Sequence, residues 1–263
     1  MKADYKNWVP KGMIYSLLAA TALTLGLFMV FGVAGCGVHG TLRIVLGVIF
    51  FIAFAVCAKY TVWSIHAYTT FSYNGERKLS KQIVDGTARY ITLSDGGIGL
   101  DVGCGSGALT IACAKRNPKA KMVGIDRWGK EYASFSLQLC RNNSDAEGVN
   151  NTSFMKGDAT KLDFADETFD AVTSNYVYHN ITGADKQKLL LETLRVLKKG
   201  GTFAIHDLMS KSRYGDMQAF AKMLKEQGYE KVELIDTTDG MFMTRKEAKS
   251  MMLLGSTLLT GKK

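Results

Sequence analysis

A glycine-rich turn carries the strongest chemical signal in the chain. Residues 101–107, DVGCGSG, close the strand-like segment GIGLDV and precede a helix-like segment. Gly103, Gly105 and Gly107 let the backbone turn sharply and approach a ligand closely. Their G-x-G-x-G spacing is one residue shorter than the dinucleotide pattern G-x-G-x-x-G, so the turn suits a ligand without a pyrophosphate.

An acidic residue closes the next predicted strand. The segment KMVGID ends at Asp126, which follows the glycine-rich turn along the chain. An acidic residue about 20 residues after such a turn can accept from both hydroxyls of a ribose. The alternative is a glycine turn without a ligand, with Asp126 capping the following helix. The two features in combination favour a ligand site.

With these motifs the chain resembles the class I S-adenosylmethionine-dependent methyltransferases. DVGCGSG resembles the first motif of that family, GIDRW the second, GDATKLDFADETFDAV the third and fourth, and LRVLKKGGTFAIHDL the segment of the fifth strand. The resemblance covers residues 76–210 well and 211–263 loosely. It implies an α/β fold, a doubly wound, mostly parallel seven-stranded sheet with an antiparallel last strand.

The resemblance also implies S-adenosyl-L-methionine as the cofactor and gives roles to the residues of the first motif. Asp101 is expected to neighbour the amino group of the donor. The backbone of Gly103, Cys104, Gly105 and Gly107 is expected to cradle its methionine part.

The adenosine part of the donor is expected to contact the later motifs. Asp126 would hold the ribose, and Asp158 would accept from the adenine amine while the Ala159 amide donates to the ring. Arg127 and Trp128 would flank the adenine edge. Trp128 could instead pack on the sheet at a helix start, and Asp158 could be a turn residue of GDAT.

Residues after the fourth and fifth predicted strands are candidates for the chemical step. Asn175, at the end of strand 4, would face the methyl group. Transfer from a sulfonium needs alignment and exclusion of water, and a base only if the acceptor must lose a proton. His179 and His206 are the candidate bases, although His206 could be a satisfied core residue and His179 a loop cap. No metal site is predicted.

Alternating patterns predict the elements that position these residues. Predicted helices cover about 77–93, 107–116, 129–147, 184–198 and 214–227, and predicted strands cover about 97–102, 121–126, 152–157, 169–175, 201–208, 231–238 and 253–260. This alternation favours a mostly parallel sheet with helices on both faces.

The N-terminal region predicts a transmembrane hairpin. Helices over about 13–35 and 42–65 divide the chain into a hairpin, residues 1–66, and a methyltransferase domain, residues 67–263. The first apolar run is roughly 34 Å long as a helix, enough for a hydrocarbon core of about 30 Å. A buried soluble hairpin or a single re-entrant segment is the alternative.

Flanking charges predict the orientation of this hairpin. Lys2, Lys6 and Lys11 precede it, and Arg77, Lys78 and Lys81 follow it. The positive-inside rule then predicts a multi-pass protein of the cell membrane, with both termini and the catalytic domain in the cytoplasm. The aromatic segment 60–75 is predicted to be a connector, either a lid over the donor or an interfacial anchor.

Composition narrows the function further. Hydrophobic residues make up 47% of the 263 residues and charged residues 22%, which excludes a disordered chain. The net charge of +9 forms no dense basic stripe, so no nucleic-acid partner is predicted. The expected partners are the lipid bilayer and a methyl acceptor, and the oligomeric state is left open.

These observations leave four functions open. The leading hypothesis is a membrane-anchored methyltransferase for a lipophilic or membrane-associated acceptor. The alternatives are an anchored methyltransferase for a soluble small molecule or a protein, a membrane scaffold that binds the cofactor without chemistry, and a nucleotide oxidoreductase. The glycine spacing disfavours the oxidoreductase.

Overall fold

The protein consists of two compact units. The structure is a computed structural model that describes residues 2–129 and 134–263. One unit is formed by Asn7–Ser80, and the other by the residues up to Lys6 together with Lys81–Lys263.

Two apolar helices make up most of the first unit. Helix α1 (Lys11–Leu27) continues into a π-helical turn (Phe28–Ala34), which ends at Gly35 in the left-handed conformation. Helix α2 spans Gly40–Phe71. Both helices are long and apolar enough to cross a membrane, as judged from length and composition.

Small residues bring these two helices together. A Cβ atom added to Gly32 would lie 2.9 Å from the Cα atom of Gly47, so the backbones meet at this point. The hydroxyls of Thr21 and Thr61 are 2.9 Å apart. Close glycine contacts and hydroxyl hydrogen bonds are typical of helices that pair in a membrane.

The length of α2 differs from the prediction. The helix was predicted to end at about residue 65, within a connector over 60–75, but the observed helix continues to Phe71. The segment YTVWSIHAYTTF contains no glycine or proline, and a helix that has already formed adds each further residue at low cost. Its β-branched and aromatic residues lower helix propensity without ending the helix.

Among the described residues, seven strands form one sheet in the second unit. The strands are β1 (Ile98–Val102), β2 (Lys121–Asp126), β3 (Thr152–Lys156), β4 (Phe169–Asn175), β5 (Leu197–Leu208), β6 (Lys231–Asp236) and β7 (Ser256–Lys262). Their spatial order is β3-β2-β1-β4-β5-β7-β6. β7 runs antiparallel to both of its neighbours, and the other pairs are parallel. This confirms the predicted fold class, a mostly parallel seven-stranded sheet preceded by two apolar helices.

Helices alternate with these strands along the chain. They are α3 (Leu79–Ala88), α4 (Ala108–Arg116), α5 (Leu137–Ala146), α6 (Lys186–Arg195), α7 (Lys211–Tyr214), α8 (Met217–Glu226) and α9 (Arg245–Ser250), with a 3₁₀ turn at Tyr178–Asn180. The core is built on strand residues such as Leu100, Val172 and Phe203, which are fully buried. The parallel strands direct their carboxyl ends to one edge, where ligands of open α/β sheets bind.

Two predicted helices differ from the observed ones. The helix predicted over 214–227 is divided, because Gly215 leaves the helical conformation and Asp216 caps α8 by accepting from the Gln218 and Ala219 amides. The helix predicted over 129–147 is observed only as α5, beginning at Leu137. Part of that prediction, residues 130–133, lies outside the described residues.

Candidate active site

The glycine-rich turn connects β1 to α4 in a conformation that its glycines make accessible. Gly103, Gly105 and Gly107 all have positive φ angles, of 75°, 55° and 81°. The amides of Gly103 and Cys104 donate to the Ile125 carbonyl at 2.8 and 2.9 Å. The turn is therefore fixed to the end of the neighbouring strand β2.

The three glycines meet different surroundings. A Cβ atom on Gly103 would lie 2.4 Å from a methyl carbon of Val177, and one on Gly107 would lie 3.0 Å from the Phe154 ring. At Gly105 the nearest atom of the described residues would be 3.9 Å away, in the ring of Phe135. Packing accounts for the first two glycines, whereas the free space at Gly105 fits the approach of a ligand.

Asp126 holds the glycine turn from the end of β2. One carboxylate oxygen accepts from the Gly105 amide at 2.9 Å, and the other accepts from the Trp128 amide at 2.7 Å. The Trp128 indole N–H donates to the Gly105 carbonyl at 2.9 Å, and the Cys140 thiol donates to the same oxygen at 3.2 Å. Gly105 is thus fixed at both its amide and its carbonyl.

Trp128 lies outside any helix. Its φ angle is 44°, and its half-buried indole is oriented by the bond to Gly105. Arg127 beside it is exposed.

Asp101 is buried within β1 at the start of the turn. Its side chain is 1% exposed and accepts from the Thr110 hydroxyl at 2.6 Å. Burial raises the pKa of Asp101 to about 7, although the bond from Thr110 acts in the opposite direction. A cation bound beside this carboxyl would therefore favour its ionised form.

Asp158 and Ala159 follow β3, the strand beside β2. Asp158 is exposed, and one of its carboxylate oxygens accepts from both the amide and the hydroxyl of Thr160, at 2.8 and 2.7 Å. These bonds lower the pKa of Asp158. The Gly157 amide donates to the Asp126 carbonyl at 3.0 Å, so the turn adjoins the end of β2. Asp158 has the turn geometry that its alternative interpretation described.

The half-buried Asn175 and the buried His206 form a pair on neighbouring strands. The two residues are in register across β4 and β5. The His206 Nδ1 atom is 2.9 Å from the Asn175 amide oxygen, and Nε2 is 2.8 Å from the Thr237 hydroxyl. Desolvation lowers the pKa of His206 to about 3. Its ring is neutral with both nitrogens hydrogen-bonded, as expected of a satisfied core histidine.

His179 forms a second pair, with Asp207. The His179 Nδ1 atom is 2.5 Å from a carboxylate oxygen of Asp207, whose other oxygen accepts from the Tyr178 amide at 2.8 Å. Burial acts to raise the pKa of Asp207, but hydrogen bonds, chiefly from His179, outweigh it and lower the pKa. An ionised carboxylate only accepts, so Nδ1 carries the proton and the Nε2 atom of neutral His179 has a free lone pair.

The structure brings the two groups of predicted residues to one edge of the sheet. Val177, next to the turn that carries His179, packs against Gly103. The Tyr176 ring lies between the two histidines, with ring centroids 4.7 Å from His206 and 6.0 Å from His179.

Sequence reasoning missed two partners in this region. Asp207 follows His206 in the sequence, but it was not predicted to hold His179. Cys140 follows no motif. Their contacts join distant parts of the chain, for which neither spacing nor periodicity gives a signal.

Comparison with known proteins identifies the family. The sequence model described as a methyltransferase domain matches residues 93–252, more than half of the chain. The chain belongs to this methyltransferase family. It therefore carries the domain of a methyltransferase.

Curated relatives share only part of their length with it. The chain is 36% identical over 106 residues to a demethylmenaquinone methyltransferase of Thermus thermophilus, covering 40% of this chain and 44% of the relative. It is 33% identical over 119 residues to a 2-phytyl-1,4-naphtoquinone methyltransferase of Thermosynechococcus vestitus, covering 45% and 49%. The chain thus spans about half the length of the curated relatives it matches.

Solved structures share the fold. The cyclase SpnF aligns with a TM-score of 0.54 at 18% identity, covering 71% of this chain and 82% of that one. A geranyl diphosphate methyltransferase aligns with a TM-score of 0.53 at 13% identity, covering 71% and 78%. At these identities the likeness concerns the fold alone.

The pKa of Asp101 leads to a prediction about donor binding. If the ionised carboxylate pairs with the ammonium group of S-adenosylmethionine, the affinity for the donor should rise with pH and level off above the pKa of about 7. The rise should approach about tenfold per pH unit below that value. Titration calorimetry from about pH 6 to about pH 8 measures it, and Asp101→Asn should flatten the profile. An unchanged slope in this variant would exclude Asp101 as the titrating group.

Proposed function

We propose that the protein is a membrane-anchored methyltransferase that acts on a lipophilic acceptor, a prenylated quinol. The observation that carries this proposal is the pair of apolar helices joined to a methyltransferase unit. Relatives named for demethylmenaquinone and for phytyl naphthoquinone support the acceptor class. A tether in the bilayer raises the local concentration of an acceptor only if that acceptor also resides there.

The helix pair is proposed to cross the membrane with both of its ends on the cytoplasmic side. Lysines precede α1, and Arg77, Lys78 and Lys81 follow α2, in agreement with the positive-inside rule. At the other end of the pair, the Arg43 guanidinium donates to the carbonyls of Gly32 and Val33. A cation placed on the free carbonyls of a helix end is stabilised there.

The donor is proposed to bind along the carboxyl edge of β1, β2 and β3. Both Asp126 oxygens already accept one amide each, and each keeps a lone pair for a ribose hydroxyl. The turn from Gly103 to Gly107 would receive the methionine part. The oriented Trp128 ring would cover one face of the adenine.

The remaining donor contacts follow from the same placement. Asp101 would pair with the ammonium group, and Asp158 with Ala159 would meet the adenine edge beside Arg127. The Asn175 amide, held by His206, would face the methyl group. S-adenosylmethionine supplies a methyl group on a sulfonium, whose leaving thioether is neutral.

His179 is proposed as the base that takes a hydroxyl proton from the quinol. Asp207 fixes the ring through Nδ1, which leaves Nε2 as the proton acceptor, and stabilises the imidazolium that forms. Loss of the hydroxyl proton raises the electron density on the ring carbon, which forms a bond to the methyl group as the bond from that group to sulfur breaks. The ring carbon then loses its hydrogen as a proton and the oxygen regains one, which restores the aromatic quinol. His206 is proposed to be a positioning residue, because its two ring nitrogens are occupied and its pKa is low.

A labelling experiment tests the acceptor class. Full-length protein in lipid nanodiscs that contain a prenylated 1,4-naphthoquinol without a ring methyl is incubated with methyl-labelled S-adenosylmethionine. We expect the label on the quinol in the lipid-soluble fraction. Nanodiscs with the oxidised quinone are the control and should give no transfer, because the quinone has no hydroxyl proton to lose.

Two other outcomes would contradict the proposed acceptor and favour a different function. Label on soluble small molecules or on protein would show that the helices serve location alone. Donor binding without turnover on any of these acceptors would favour a non-catalytic scaffold.

The His179–Asp207 pair makes a kinetic prediction. His179→Ala should lower kcat by about 10²- to 10⁴-fold, the usual contribution of a positioned base, and leave the donor affinity unchanged. Asp207→Asn should also lower kcat, because an amide can hold the ring in the wrong tautomer. His39→Ala, which changes an exposed histidine of the other unit, is the control. Wild-type kcat in His179→Ala would exclude it as the base.

A further inference from the structure

The first residues of the chain return to the methyltransferase unit. Although Lys2–Lys6 precede the apolar helices in sequence, they belong to the same compact unit as the sheet. The Asp4 amide donates to the Asn143 side-chain oxygen at 2.7 Å, and the Asn143 side-chain nitrogen donates to the Asp4 carbonyl at 3.0 Å. One side chain on α5 therefore holds both backbone groups of Asp4.

The same Asn143 amide also holds the glycine-rich turn. Its nitrogen donates to the Ser106 carbonyl at 2.9 Å, so one N–H is directed to Asp4 and the other to Ser106. The side chain is 2% exposed, and these three bonds use its oxygen and both of its protons. Asn143 is a direct bridge between the N-terminal segment and the turn.

Neighbouring contacts hold the segment in place. Tyr5 is 8% exposed, and hydrogen bonds from Lys115 and from Tyr5 lower the pKa of Glu147, which follows α5. The Lys6 amide donates to the Asp4 carboxylate at 3.0 Å, which turns the chain back on itself. The segment is thus bound to the α5 region at two successive residues.

We infer that residues 2–6 are a working part of the donor site and that Asn143 is the positioning residue through which they act. This inference rests on the proposed placement of the donor at the glycine-rich turn. Ser106 lies between two glycines, whose backbone is costly to order. Asn143 fixes the Ser106 carbonyl through its hydrogen bond before the donor binds. Docking of the segment and binding of the donor are then linked equilibria, and each strengthens the other.

Two pairs of full-length variants test the bridge. Asp4→Pro removes the amide that donates to Asn143, whereas Asp4→Ala keeps that amide and removes only the side chain. Asn143→Ala removes the bridge, whereas Asn142→Ala removes the neighbouring amide, which contacts Gln138 on the surface of α5. We expect Asp4→Pro and Asn143→Ala each to raise the Kd for S-adenosylmethionine about 3- to 10-fold, as for the loss of one or two hydrogen bonds. Asn142→Ala should bind the donor as the wild type does, Asp4→Ala should weaken donor binding less than Asp4→Pro because it keeps both backbone bonds to Asn143, and kcat at saturating donor should not change.

Hydrogen exchange supplies a readout that a merely structural contact would not move. Saturating S-adenosylmethionine should slow amide exchange at Asp4 in the wild type and have no such effect in Asn143→Ala. The double variant with Asp4→Pro and Asn143→Ala should bind the donor no more weakly than Asn143→Ala alone, because both substitutions break the same bridge.

The outcomes separate this inference from the donor placement. The inference would be overturned if Asp4→Pro bound S-adenosylmethionine with wild-type affinity. It would also be overturned if the donor did not change the rate of amide exchange at Asp4 in the wild type. If Asn143→Ala does not fold, Asp4→Pro and the wild-type exchange measurement decide alone. A donor affinity unaffected by Asp126→Ala would instead show that the placement at the turn is wrong.

Discussion

The bond between the Gly105 amide and the Asp126 carboxylate is the contact on which the site depends. It joins the turn after β1 to the end of β2, and it forms because Gly105 adopts a φ angle of 55° that most side chains would resist. Trp128 and Cys140 then hold the carbonyl of the same residue, and Asn143 holds the next one. The turn is ordered before any ligand binds, so the donor meets a prepared surface.

Burial gives the two histidines at this edge different properties. His206 lies inside β5 with both ring nitrogens bonded, and its low pKa keeps it neutral. His179 lies in the turn after β4, where a buried carboxylate fixes one nitrogen only. Neighbouring strands thus present one histidine that supports the fold and one with a lone pair available for proton transfer.

The sequence alone predicted what depends on local rules. The alternation of patterns led to the mostly parallel sheet, the glycine spacing and the acid at the end of β2 led to the ligand site, and the resemblance to the family implied seven strands with an antiparallel last strand. It could not predict the bridge from Asp4 to Asn143 or the bond between His179 and Asp207, because these contacts depend on tertiary packing between distant segments. The extension of α2 to Phe71 was missed for another reason, since aromatic and β-branched residues made a helical segment resemble a connector.

The most direct measurement of the central claim is the affinity of the full-length protein for S-adenosylmethionine with and without the Asp126 carboxylate. Asp126→Ala removes the bond to Gly105 and the proposed ribose contact, and should weaken binding by about 1–3 kcal/mol. Asp163→Ala, a change at an exposed aspartate, should bind the donor as the wild type does. Equal affinity in Asp126→Ala and the wild type would contradict the account.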